Sequence, residues 1–143
     1  APGDVLIGLL VAVGAGLVAG IVREIAVNFD KRAQKKAVLA IYATAVVTAV
    51  VVFITQVFFD IPVDQILFSG NSGMGELVKQ TSITVVLVTL VGKGIAYAMA
   101  LGGGMRGGPI FPATFLGVCV GVLAALIFPF VPLSPLVAAG SAA

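Results

Sequence analysis

The strongest chemical signature in this chain is a run of backbone rather than a set of reactive side chains: "GGGMRGGPIFP", residues 102–112. Five of its first seven residues are glycine, and Pro109 and Pro112 bracket Ile110 and Phe111. Clustered glycines stop a helix, and proline suits the first turn of the next one, where its missing N–H would have no partner anyway. Such a break presents free amides, those of Ile110 and Phe111 nearest, at a helix end that carries roughly half a positive charge. That is anion-binding chemistry. A phosphate-binding P-loop would need Gly-Lys-Ser/Thr after its glycines, whereas here the chain continues "GGPIFP". A plain Gly-rich hinge between two helices stands beside the anion reading.

The remaining side chains narrow the chemistry further. Histidine is absent and cysteine occurs once, which excludes His-based acid–base catalysis within this chain and leaves no zinc or iron–sulfur cluster. Cys119 sits in an apolar run and reads as a buried, inert thiol. A net charge of +2 without a basic-aromatic patch gives no reason to expect a nucleic-acid partner. The charges are nonetheless sorted. All six acids lie within the first 76 residues, while Lys79, Lys93 and Arg106 occupy a remainder that has none. An anion beside the break would meet Lys93 or Arg106 and no carboxylate. Lys93 lies deep inside an apolar stretch, so it faces protein, lines a pathway or snorkels.

The elements that must position these groups belong to a membrane. The 143 residues are 60% hydrophobic and 10% charged, with a mean hydropathy of +1.21. Soluble domains carry about 25% charged residues. A span needs about 20 apolar residues, and segments 4–30, 37–59, 82–101 and 111–128 qualify. Between the second and third, Pro62 and several glycines leave room for one short re-entrant helix at 63–70, with Asp64 and Glu76 as helix-start or interface residues. Prolines 129, 132 and 135 end the fourth span, and 133–143 opens another helix. The expected class is therefore all-α, a polytopic membrane protein with broken or re-entrant segments, forming one transmembrane region over 1–143. The chain begins "APGD" and ends "GSAA", which reads as a piece cut from a longer protein. No basic residue precedes the apolar run at 5–21, so a signal peptide is not indicated.

Two further patterns bear on organisation. Gly8, Ala12, Gly16 and Gly20 form a small-residue stripe on the first span, of the kind that lets helices approach closely, within a subunit or between two. Ala113, Gly117, Gly121 and Ala125 repeat that spacing on the fourth. The segment "DKRAQKK", residues 30–36, holds four of the eight basic residues and is expected on the cytoplasmic side. A phosphoinositide site there is possible and not required by the pattern.

Residues 65–129 resemble the CLC chloride channel and transporter family. The run Lys93, "GIAYAMAL", "GGGMRGG", "PIFP" follows that family's order: a basic residue, eight residues, a Gly/Ser-rich heptad, then the G-x-F-x-P anion motif of a pore helix. Downstream "ATFLGVCVGVLAALIFPF" is similar to the pore helix itself, and upstream "QILFSGNSGMGELV" is similar to the short helix and loop before the Lys-bearing span. The resemblance implies the front of the second of two inverted halves, a CLC-type partial fold. It implies transport of chloride or a similar anion, as a channel or an antiporter, with no cofactor and no covalent chemistry. Carried over by position, Gly108, Pro109, Ile110, Phe111 and Pro112 match the motif. Pro109 stands where the family has an amide donor, so either one donor is missing or the donor pair shifts to Ile110 and Phe111, and the shift is the favoured reading. The family's serine loop, glutamate gate and late tyrosine have no counterpart here, and Glu24 beside Arg23 is a poor substitute for the gate. The implied partners are the bilayer, the rest of the chain and a second copy in a homodimer, in the plasma membrane. Two other classes stay open: a non-conducting scaffold homologue, and a membrane enzyme that binds a phosphorylated lipid.

Overall fold

The computed structural model describes residues 2–67, 73–105, 110–129 and 132–142. Among them all regular structure is helical: α1 (Pro2–Ala33), α2 (Ala37–Phe59), α3 (Val63–Leu67), α4 (Met74–Val78), α5 (Ile83–Gly102), α6 (Ile110–Ile127) and α7 (Leu133–Ala142). Within α1, α2, α5 and α6 lie stretches long and apolar enough to cross a bilayer. Helices are what a lone apolar segment must form in lipid, because only they satisfy their own backbone. This is an all-α polytopic membrane protein.

The breaks follow local rules. Asp60 ends α2 in the left-handed region (φ 52°), its N–H on the Gln56 carbonyl and that of Ile61 on Thr55. Pro62, which has no N–H to continue the α2 ladder, then leads into α3, its carbonyl accepting from the Gln65 N–H at 3.1 Å. At the end of α5, Gly104 takes φ +79°, which glycine adopts without a steric penalty, and the Met105 N–H reaches back 3.0 Å to the Ala100 carbonyl. This is a Schellman closure. The region after Pro62 differs from the single short helix expected at 63–70. It contains two, α3 and α4, of five residues each. Gln65, which is buried, packs over Gly73 and donates to the Glu76 carboxylate at 3.4 Å, tying the pair together.

α5 is the hub. α1 packs on one side of it and α2 on another, while α6 lies against it and against α1. The main core joins Leu77 of α4, Val86 of α5 and Phe115, Val118, Cys119 and Val122 of α6. Gly102 is where the end of α5 meets α1: a Cβ there would stand 2.7 Å from the Ala26 carbonyl and 2.8 Å from the Phe29 ring. α7 folds back along α6 at a crossing where a Cβ on Gly117 would overlap the Gly140 carbonyl, and one on Gly140 would overlap Gly117. A Cβ on Gly121 would lie 2.6 Å from the Leu136 carbonyl. Half of the small-residue stripe on α6 thus serves backbone-to-backbone packing.

The stripe on α1 does not. Val11, Ala15, Val22 and Ala26 make its buried face, and Gly16 and Gly20 point away from the bundle with nothing within 4 Å of an added Cβ. Lipid tails are as apolar as leucine, so apolarity alone does not choose the inward face of a span. Cys119 is free and fully buried among these core side chains. A membrane-permeant maleimide should leave it unmodified in the folded protein and label it after denaturation in SDS, as read by mass; rapid labelling of the native protein would show that the α4–α5–α6 core is open.

Candidate anion site

α6 starts at Ile110. The first four amides of a helix have no partner within it. Pro112 has none to offer, which leaves those of Ile110, Phe111 and Ala113. The Ile110 carbonyl is engaged from within the helix, where the Thr114 hydroxyl donates to it at 2.8 Å. No acidic residue lies in the first turn. Ile110 and Phe111 are 72% and 53% exposed. Arg106, Gly108 and Pro109 lie outside the described residues.

Phe111 and Pro112 line a cavity of about 1050 Å³ bounded by α2 and α5 and closed in part by α3. Its wall is largely aliphatic, with Thr44, Thr48 and Gln56 from α2 and Tyr97 from α5 as polar exceptions. Lys93 lines it too. This lysine is 2% exposed, and its Nζ donates to the Ile66 carbonyl at 3.2 Å and lies 5.3 Å from the centre of the Phe115 ring. Ile66 sits in the last turn of α3, so the ammonium meets the negative end of that short helix. The Phe115 contact adds a cation–π attraction. Lys93 therefore does not snorkel; it is held by α3 and α6 beside the cavity.

The sequence pointed to the break and to Lys93 but not to the α2 wall. Thr44, Thr48 and Gln56 recur at four- and eight-residue spacing in an otherwise apolar span, which puts them along one helix face. Tyr97 lies one turn after Lys93 in the same way. Polar positions in register on two apolar helices were the available signal. The Thr44 hydroxyl has a structural task as well, donating to the Met99 carbonyl at 3.2 Å where α5 runs out.

In this bundle of membrane helices the first turn of α6 and a buried lysine line one cavity. A family model described as voltage gated chloride channel matches residues 2–143, and the chain belongs to that family. Its members are chloride channels and transporters rather than enzymes. No curated protein and no solved structure matches the chain.

Proposed function

We propose that this chain supplies an anion pathway in which the amides of Ile110 and Phe111 hold a dehydrated chloride at the start of α6. Gly108 and Pro109 complete the motif by position, the glycines let the backbone approach the ion, and Lys93 and Arg106 make the local potential positive. The observation that carries this reading is the cavity: Phe111 and Pro112 share its wall with buried Lys93. A helix end and a cation beside one low-dielectric space act on an anion far more strongly than they would in water. Irregular backbone at such depth survives where it lines a cavity, and transporters use broken helices in this way.

In this reading residues 30–36 face the cytoplasm of a plasma-membrane protein that works as a homodimer with the remainder of its chain. No cofactor takes part. The test uses the full-length protein in liposomes, with chloride efflux as readout. Ile110→Pro removes one proposed donor at a first-turn position where proline keeps the helix intact. Losing one preorganised amide should slow efflux about tenfold, in keeping with a charge-assisted hydrogen bond of about 1.5–3 kcal/mol. Efflux equal to that of the unmodified protein would remove the amide from the pathway. Absence of any chloride flux in the unmodified protein would favour the scaffold reading, and turnover of a phosphorylated lipid would favour the enzyme.

A further inference from the structure

α1 and α2 are consecutive but hardly pack on one another, since each turns its inner face to α5. They diverge from the short link at residues 34–36 and leave a recess of about 330 Å³ at the vertex. The exposed Arg32, Lys35 and Lys36 stand around it, and the less exposed Phe29, Ala40 and Ala43 form its floor. The three cations outnumber the one nearby acid, Asp30, whose carboxylate accepts from the Gln34 side chain at 3.1 Å. The N-terminus of α2 opens at the same place, where Lys36 is the N-cap and makes no side-chain capping bond. Its first amides add to the positive field.

We propose that this recess binds the headgroup phosphate of an anionic phospholipid. Charge and shape both favour a lipid over a soluble anion. The cations ring the rim, whereas the floor is aromatic and aliphatic, which suits a phosphodiester whose glycerol and acyl chains run on into hydrocarbon. The outward faces of the adjoining turns continue that surface, with Val38, Leu39 and Tyr42 exposed by 69%, 61% and 66%. Basic clusters at the ends of membrane helices attract anionic lipids, and pockets among them hold their headgroups. Phe29, on the floor, also packs against Gly102, so the occupant rests one side chain from the glycine segment that leads to α6.

The test measures binding of spin-labelled phosphatidylglycerol and phosphatidylcholine to the detergent-solubilised full-length protein, by the motionally restricted fraction of the spectrum. Phosphatidylglycerol should bind at least tenfold more tightly. The triple variant Arg32→Gln/Lys35→Gln/Lys36→Gln should lose about a hundredfold of its affinity, while Lys31→Gln, a charge of the same segment outside the recess, should lose no more than about fivefold. Ala43→Leu, which fills the floor and keeps every charge, should also weaken binding at least tenfold. Millimolar inorganic phosphate or glycerol 3-phosphate should not displace the label. Equal affinity for the two lipids overturns the proposal. So does an unaffected Ala43→Leu protein, which would mean diffuse attraction without a site, and so does displacement by either soluble phosphate.

Discussion

Lys93→Met should cut chloride flux at least tenfold while leaving the protein folded. Methionine has nearly the length of the lysine stem and suits the apolar part of the site, so the helices keep their spacing. What disappears is a buried positive charge on the wall of the cavity that Phe111 and Pro112 also line. Fixed charge in a cleft with low-dielectric walls raises the local concentration of an oppositely charged ion by about 10–10³. The Ile66 carbonyl loses its ammonium partner as well, a cost to stability of about 1–3 kcal/mol. Flux per folded molecule, normalised by gel filtration and circular dichroism, separates the two effects. Lys93→Arg keeps the charge and should retain more flux than the methionine variant. If the methionine protein conducts like the unmodified one, the lysine serves only to clamp α3.

Gly117→Val should be the most disruptive single change on α6. The new side chain would overlap the Gly140 carbonyl across the crossing with α7, and backbone cannot swing aside as a side chain can. Overpacking of this kind costs about 3 kcal/mol or more, because the two helices must separate along their whole contact. Gly121 meets Leu136 in the same seam, so nothing nearby offers room. Displacing α6 also moves its first turn, and flux should fall with stability. Unfolding in a denaturing detergent titration measures the first effect and liposome efflux the second. Gly16→Val on α1, with nothing within 4 Å, is the matched control and should change the bundle's stability little.

These two glycines also show where sequence reading stops. Gly16 belongs to a four-residue stripe as regular as the one that contains Gly117, yet only the latter meets another backbone. The difference lies in α7, whose Gly140 comes 23 residues later and is brought to Gly117 by the proline-rich turn. Breaks in the chain were legible because they are local: glycine and proline act on their own backbone, so the end of α5 and the start of α6 could be read from residues 102–112. Membrane character followed from composition alone. By contrast, α4 is a single five-residue turn held by Gln65 over Gly73, and no periodicity can develop in so few residues. The grip of Ile66 on Lys93 spans 27 positions and is likewise tertiary. The polar positions on α2 went unread, because which helix they face is set by tertiary packing and not by their spacing.

Crystals of the full-length protein grown with bromide would test the central claim most directly, since bromide scatters anomalously and substitutes for chloride. An anomalous peak within about 3.5 Å of the Ile110 and Phe111 nitrogens, on the cavity side of α6, is the predicted result. Those two nitrogens bonded instead to protein carbonyls, with bromide bound elsewhere in the pathway, would contradict it.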